Sequence, residues 1–209
     1  VCLSEFYISK YPITNREYQL FIQETGYISP KDWGNNQYPQ GKEAHPVVHV
    51  SWEDTKYYCE WLSQKTSKLY RLPTESEWEK ASRGTDGRIW PWGNEFNTQN
   101  ANTSEVKIKT TTPVGQFSPQ GDSPYGCTDM TGNVWEWCLD CFTEDEYSNR
   151  NDGVSNPVGA LQGELRVIRG GSFFYLKGNA RCSRRLRLGL TGRSDDIGFR
   201  VAISVTDKD

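Results

Sequence analysis

The feature that most constrains this fold is the density of turn-forming residues in the second half of the chain. Gly, Pro, Asn and Asp recur every few residues from residue 84 through residues 122–126. These residues favour turns, so the region cannot form long helices. The chain also contains 8 Trp and 11 Tyr, whose rings can be buried with one polar edge in water. These features predict a loop-rich fold with an aromatic core.

Capping residues predict three short helices in the first half of the chain. A capping box pairs a Ser or Thr with an acidic residue three positions later. Residues 14–17 and 74–77 are strong boxes, and residues 51–54 are a weaker one in which Asp replaces Glu. The first helix should run to Glu24, with Gly26 as its stop.

Short β-favouring runs predict strands at residues 6–8, 47–50, 135–137, 166–168 and 199–203. Residues 143–165 are predicted to form a flexible surface loop. Helices early in the chain, followed by short strands between long loops, indicate an α+β fold with two to three short helices. We find no repeat or internal linker and expect residues 1–209 to form a single domain.

Charge is distributed unevenly along the chain. The net charge is −3, yet residues 166–200 contain nine Arg or Lys against two Asp, a net charge of +7. Such a block indicates either an anionic partner or internal pairing of Arg with acidic residues elsewhere. No nucleic-acid-binding signature is present, so we expect no nucleic-acid partner.

The N-terminus lacks the features of a targeting signal. The chain begins at Val1 without an initiating Met, a basic segment or a long apolar run. No run of 18 or more apolar residues predicts a membrane span. We expect a segment excised from a longer protein, either cytoplasmic or displayed on a surface as part of that protein.

The six Cys and two His give only weak signals for metal or redox chemistry. Cys138 and Cys141 match the spacing of zinc and redox motifs, but a zinc site needs a second pair or nearby His. The only His residues, His45 and His49, flank Pro46, which disfavours a helix, and we expect them to flank a strand. No Ser-His-Asp or Cys-His arrangement is evident.

Four sequence blocks in order point to a known family. They are YPITNREY at 11–18, RLPTESEWE at 71–79, GNVWEW at 132–137, and RGGS at 169–172 followed by GFR at 198–200. Together they resemble the formylglycine-generating enzyme (sulfatase-modifying factor) family over nearly the whole chain. The resemblance implies that family's variant of the C-type lectin fold. Its members include copper-dependent oxidases, sulfoxide synthases, modules linked to bacterial kinases, and variable proteins diversified by retroelements.

The resemblance argues against catalysis by this chain. The oxidases hold soft Cu(I) with two Cys thiolates that follow the RGGS motif. Those positions are Tyr175 and Ala180 here, and residues 169–181 contain no Cys. In the sulfoxide synthases the iron ligands come from a separate N-terminal domain. We therefore expect no copper, no iron and no enzyme activity; the alternative is an oxidoreductase-type domain that needs a missing metal-binding part.

The resemblance also implies a structural calcium site and a pair of neighbouring cysteines. The calcium ligands would be the side chains of Asp129 and Glu136 with the carbonyls of Gly132 and Val134, and oxygen ligands suit this ion. The alternative is that both carboxylates only cap turns and pair with Arg. By the same resemblance Cys59 and Cys182 should lie close together. Whether they form a disulfide depends on the redox state of the compartment.

The segment between RGGS and GFR is the predicted binding surface of a non-catalytic display domain. In retroelement-diversified proteins this stretch varies while its backbone is kept. We expect a protein or other macromolecular ligand, a bacterial origin, and fusion to a kinase or another signalling domain. Three of its leucines alternate with Arg or Gly, and they form either an exposed apolar patch or the inner face of a half-buried strand. The predicted contact residues are Phe174, Tyr175, Leu176, Lys177, Asn179, Arg184, Leu186, Leu188, Leu190 and Ser194.

Overall fold

The computed structural model describes residues 1–147, 153–159 and 162–205. The predicted surface loop at 143–165 therefore lies partly outside the described residues, because 148–152 and 160–161 are not among them. Within the described ranges, no helix is both long enough and apolar enough to cross a membrane.

All three predicted helices are present: α1 at Asn15–Thr25, α2 at Trp52–Thr66 and α3 at Glu75–Arg83. Each begins with a complete capping box, in which the cap and the third helical residue bond reciprocally. The weaker box is complete as well, because Asp54 accepts the backbone N–H of Ser51 at 2.7 Å. Gly26 ends α1 with a φ of 68°, a left-handed conformation that glycine adopts at little cost.

Seven short strands form two sheets in the described part of the chain. In chain order they are β1 Phe6–Ile8, β2 Tyr70–Arg71, β3 Trp135–Cys141, β4 Leu165–Arg169, β5 Arg185–Gly189, β6 Ile197–Gly198 and β7 Ala202–Ser204. One sheet has the order β5-β4-β3-β6 and is antiparallel except between β3 and β6. The other is antiparallel with the order β1-β7-β2. The α+β class is thus confirmed.

Two of the predicted strands are wrong in position. Residues 47–50 form no strand, because His49 has a φ of 58° and turns the backbone out of the extended conformation. The predicted strand at 199–203 begins too early, because β7 covers only Ala202–Ser204 and residues 199–201 form no strand. Just before them, β6 at Ile197–Gly198 pairs with β3 in the other sheet. In both places tertiary contacts override local β-propensity.

Aromatic rings dominate the main core. Tyr18 of α1 stacks on Tyr58 of α2 with ring centroids 5.6 Å apart, and it meets Trp33 and Phe199 edge-on. A second, smaller cluster lies beneath α3 around Trp78. The predicted aromatic core is therefore present, and it joins the two helices to the end of β6.

Two fully buried arginines fix the two ends of the segment between the RGGS and GFR blocks. Arg169 in the RGGS block contacts Glu79 at 2.5 Å and Glu75 at 3.4 Å. Arg200 in the GFR block contacts Glu136 at 2.6 Å. Buried charges of this kind require paired, hydrogen-bonded surroundings, and both arginines also donate to backbone carbonyls. Part of the basic block therefore pairs internally.

Candidate functional site

The two positions that the resemblance assigns to copper thiolates hold side chains without sulfur, Tyr175 and Ala180. Tyr175 packs its ring edge-on against Trp135, with centroids 5.6 Å apart. Ala180 is fully buried against Gly171, where an added Cβ would lie 2.7 Å from the Ala180 methyl. A ring and a methyl group thus occupy the positions that the resemblance assigns to copper ligands, and neither offers the soft donor that Cu(I) prefers.

The cysteines elsewhere in the chain do not replace the missing thiolates. Burial raises the pKa of Cys59 to about 12 and that of Cys182 to about 11, so both remain protonated thiols at neutral pH. Burial likewise raises the pKa of Cys127, Cys138 and Cys141. Within the described ranges no three His, Cys, Asp or Glu side chains are grouped to hold a metal ion.

Cys59 and Cys182, which the resemblance implies to be neighbours, form no disulfide in the structure, and their proximity stays a prediction. Both thiols are free and buried. Cys59 lies in the main aromatic core, whereas Cys182 accepts a hydrogen bond from the hydroxyl of Ser82 in α3 at 3.0 Å. The backbone carbonyl of Cys182 accepts from Arg169, which also pairs with Glu79 of α3.

Residues 173–179, which we call the aromatic loop, present the most exposed apolar side chains of the predicted surface. Phe174 is 73% exposed and Leu176 is 61% exposed. The backbone of the loop is nevertheless fixed, because the Ser104 N–H donates to the Tyr175 carbonyl and the Lys177 N–H donates to Glu105. Exposed apolar groups on a fixed backbone are typical of binding surfaces.

The three leucines of the predicted surface face inward instead. Leu186, Leu188 and Leu190 are only partly exposed, and each packs against the main core. Arg187, which lies between two of them, is exposed. The half-buried strand β5 is therefore the correct alternative, and the expectation of an apolar leucine patch is wrong because β5 needs its inner face to cover the core.

The remaining predicted residues divide by exposure. Lys177 and Arg184 are exposed, whereas Asn179 and Ser194 are partly buried. The Ser194 hydroxyl donates to Asp196 at 2.5 Å, and its carbonyl accepts from the backbone of His49, so Ser194 is committed to internal bonds. Ser194 therefore stabilises the local backbone and does not belong to the exposed surface.

Three basic side chains on or near the aromatic loop are available to a partner. Lys177, Arg181 and Arg184 are exposed and form no salt bridge within the part of the chain that the structure describes. The ammonium of Lys177 lies 5.5 Å from the ring centre of Phe96, a cation–π arrangement. We call these three residues the basic rim. Sequence reasoning omitted Arg181 from the surface, although it belongs to the basic block.

The two carboxylates implied as calcium ligands, those of Asp129 and Glu136, both have protein partners, and the calcium site itself stays a prediction. Both oxygens of Glu136 are engaged, since Arg200 donates to each of them and Trp78 donates to one at 2.7 Å. Asp129 accepts from the backbone of Gly115 at 2.6 Å, and burial raises its pKa. The alternative, in which the carboxylates cap turns and pair with Arg, describes this geometry.

The histidines also differ from expectation, because no strand lies between them. His45 Nδ1 lies within hydrogen-bonding distance of the Thr111 hydroxyl, at 2.9 Å. Burial, together with the positive charge of Lys42, lowers the pKa of His45 to about 4. His49 lines a cavity that sequence reasoning missed. Its lining residues come from distant segments, so no local pattern could have revealed it.

Relatives of this chain include enzymes, an enzyme-like inactive protein and a kinase. The chain is 29% identical to the formylglycine-generating enzyme of Bos taurus, with 97% of this chain and 66% of that protein aligned. It is 33% identical to the serine/threonine-protein kinase pkn1 of Chlamydia pneumoniae, of which it spans only 34%. It is 37% identical to the inactive C-alpha-formylglycine-generating enzyme 2 of Bos taurus over 77% of this chain and 51% of that protein.

A solved structure shares the fold. Treponema denticola variable protein 1 superposes with a TM-score of 0.80 at 24% identity, covering 98% of this chain and 86% of that one. The C-type lectin-like architecture implied by the sequence blocks is thereby confirmed. Residues 1–205 match the sulfatase-modifying factor enzyme 1-like domain. The chain therefore belongs to this FGE-sulfatase family, which contains both catalytic and inactive members.

Proposed function

We propose that this chain is a non-catalytic binding domain whose partner is a protein. The observation that supports this most directly is the replacement of the thiolate pair by Tyr175 and Ala180 beside an aromatic loop with exposed apolar side chains. Phe174 and Leu176 would supply apolar contacts, and the basic rim would supply directional, charged ones. Aromatic and Arg side chains contribute most strongly to protein interfaces.

The same surface suits a partner with acidic groups around an apolar centre. Lys177, Arg181 and Arg184 are exposed on the same stretch of chain as Phe174 and Leu176. Charge complementarity governs association rate and partner choice. Relative to the set predicted from the sequence, Arg181 is added and Leu186, Leu188, Leu190 and Ser194 are removed. The proposed contact residues are then Phe174, Tyr175, Leu176, Lys177, Asn179, Arg181 and Arg184.

The larger protein is part of the proposal. Because the relative named as a kinase is three times as long as the aligned domain, we propose that this chain serves as a sensor module within a signalling protein or as a retroelement variable protein. A near-identical, adenine-rich template repeat beside the gene would support the second of these. Its absence would leave the sensor module.

A quantitative enrichment experiment tests the binding proposal. Proteins from the native source are captured on the wild-type domain, on a Phe174→Ser/Leu176→Ser double variant and on an Ile28→Ser control, and quantified by mass spectrometry. Ile28 is 83% exposed and lies outside the aromatic loop. A partner that uses the loop should fall by about tenfold or more on the double variant and stay unchanged on the control. Equal recovery on all three baits would contradict the proposal.

The competing function is an oxidoreductase-type domain, favoured by the alignment with the formylglycine-generating enzyme over 97% of the chain. Cu(I) titration followed by metal analysis of the purified protein separates the two functions. Binding of copper or iron at one ion per chain would refute the non-catalytic proposal. Background binding, equal to that of a Cys2→Ser variant that removes the exposed thiol, would agree with it.

A further inference from the structure

β1 lies at the edge of the β1-β7-β2 sheet and is paired on one side only. The Glu5 carbonyl and the Ser9 N–H bond to backbone groups immediately beyond the two ends of β7, at 3.4 and 2.8 Å. Successive residues of an antiparallel strand direct their backbone polar groups to opposite sides. The N–H and C=O groups of Phe6 and Ile8 therefore point away from β7, and within the described residues they have no backbone partner.

A groove of about 800 Å³ is lined by β1 and by the segments around it. Residues 3–8 and Lys10 contribute to its lining, together with Lys80 and Ala81 of α3 and residues 125–127. Ligand sites in proteins have volumes of about 300–1,000 Å³. The groove is therefore large enough for a short segment of polypeptide.

The chain itself already uses one position of this edge. Lys10 lies two residues beyond Ile8, and its carbonyl accepts the Thr128 N–H at 2.9 Å. Residues 125–127, which line the groove, lead directly into that bond. The groove thus continues the line along which a further strand would pair with β1, and the positions of Phe6 and Ile8 are left open.

The side chains of the groove favour a segment that combines apolar and acidic residues. Ile8 packs against the smaller core cluster beneath α3, and the ring of Tyr125 is 56% exposed. The lining contains two cations, Lys10 and Lys80, and one anion, Glu5. Neither lysine forms a salt bridge within the described residues. The ammonium of Lys80 lies 5.8 Å from the ring centre of Tyr125, at the border between the apolar and the charged lining.

We propose that the free edge of β1 binds an extended, acidic segment of a partner protein, which pairs as an additional strand of this sheet. The backbones of Phe6 and Ile8 offer two donors and two acceptors, which recognise an extended main chain. Alternate side chains of the segment enter the groove, and an acidic side chain pairs with Lys80 or Lys10.

A thin segment fits this edge better than a second copy of the chain does, because a second copy would bring its own α3 and residues 125–127 to the same edge. No residue of the aromatic loop lines the groove. The inference therefore does not depend on the proposed function of that loop.

A library of random heptapeptides displayed on phage, selected on the full 209-residue chain, tests the ligand class. The selected sequences should alternate apolar residues with other residues and contain Asp or Glu. The strongest of them, made as a synthetic peptide, should bind in calorimetric titration with a Kd below about 100 µM. A selection without this enrichment would overturn the proposal.

Backbone methylation of the selected peptide tests strand pairing. Residues of an added strand direct their N–H groups alternately towards β1 and away from it. Two versions of the peptide are N-methylated at every second residue, one at the odd and the other at the even positions. One version should bind at least about tenfold more weakly, and the other should change by less than about twofold. Equal binding by the two versions would exclude pairing with the edge.

A matched pair of variants at Phe6 tests the location. Phe6→Pro and Phe6→Ala both remove the ring, but only Pro removes the N–H that faces the groove, and edge strands accept Pro where that group is outside the ladder. Phe6→Pro should bind the selected peptide at least about tenfold more weakly than Phe6→Ala does. Similar binding by the two variants would overturn the assignment, and thermal melts verify that both fold.

Hydrogen exchange of the wild-type chain tests the same pairing without a substitution. On addition of the peptide, exchange of the Phe6 and Ile8 amides should slow by at least about tenfold, whereas that of Tyr7, which already faces Ile203 of β7, should not change. Unchanged exchange at Phe6 and Ile8 would overturn the proposal. So would a dimer in light scattering that the peptide does not dissociate, because it would assign the edge to a second copy.

Lysine variants test the preference for acidic segments. Lys80→Gln should weaken binding of the selected peptide by about threefold or more, because it removes a charge-assisted contact. Lys68→Gln is the control, since Lys68 is exposed and does not line the groove. Equal effects of the two substitutions would contradict the acidic character of the partner segment.

Discussion

Replacing Glu136 with Gln should destabilise the fold strongly, because it removes the charge that compensates the buried guanidinium of Arg200. Both side chains are at most 1% exposed, and two hydrogen bonds of 2.6 and 2.8 Å join them. Gln keeps the size of the side chain and one acceptor for Trp78 but leaves Arg200 buried without an opposite charge. Breaking a buried pair in this way costs about 3–5 kcal/mol.

That loss would be a large part of the total stability, which is about 5–15 kcal/mol for a native protein. In a chain of this length about 1 kcal/mol changes Tm by 2–4 °C, so the expected decrease in Tm is about 6–20 °C. Urea denaturation followed by circular dichroism gives the free energy of unfolding directly. Arg200 also donates to the carbonyls of Ser9 and Thr128, so its displacement would disturb three segments together.

Glu144→Gln is the matched control, because Glu144 pairs with Arg187 at the surface at 3.1 Å. The side chain of Glu144 is 77% exposed, and surface pairs of this kind contribute only about 0–1 kcal/mol. If the two Gln variants lose similar stability, the buried pair does not have the structural role assigned to it. A wild-type protein that gains stability from calcium while Glu136→Gln does not would restore the calcium interpretation.

Three further outcomes are expected. Gly171→Ala should lower the free energy of unfolding by about 1–3 kcal/mol in urea melts, because φ is 75° and the new Cβ would lie 2.7 Å from Ala180. Gly178→Ala is the control and should leave the free energy of unfolding unchanged, because a Cβ at Gly178 meets open space. Millimolar CaCl₂ should change Tm by less than about 1 °C in a thermal melt, and a larger increase would contradict the assigned role of the carboxylates. The folded protein should lose stability as the pH falls from 6.5 towards 4, because the unfolded chain binds a proton at His45 that the folded chain does not, and this loss should be smaller in His45→Gln.

The sequence predicts the helices well because their signals are local. A capping box spans four residues, and all three boxes form as expected. The strands are short and depend on distant partners, so the sequence misplaces the one at 47–50 and extends the one at 199–203 beyond its true start. The burial of residues 185–189 cannot be decided from the sequence. The alternation of Leu with Arg or Gly shows that one face of the strand is apolar, but it does not show whether that face meets the core.

The candidate sites differ in the same way. The aromatic loop follows a recognisable motif, so its residues could be named from the sequence. The polar cavity beside the start of α1 could not be found from the sequence, because Asn15, Lys42, Lys109 and Asp195 are brought together only by the fold. Unpaired buried atoms such as Asn15 Oδ1 are also visible only in three dimensions.

The structure shows how the segment between RGGS and GFR can change its side chains without losing its shape. Arg169 and Arg200 fix the two ends of the segment through buried ion pairs. Between them, the aromatic loop is held by backbone bonds, from Phe173 N–H to the Asn133 carbonyl and from Ser104 N–H to the Tyr175 carbonyl. Because these bonds do not involve the outward side chains, substitutions there change what the surface contacts and leave the backbone in place. A position in this segment can thus exchange one outward side chain for another without a change of fold.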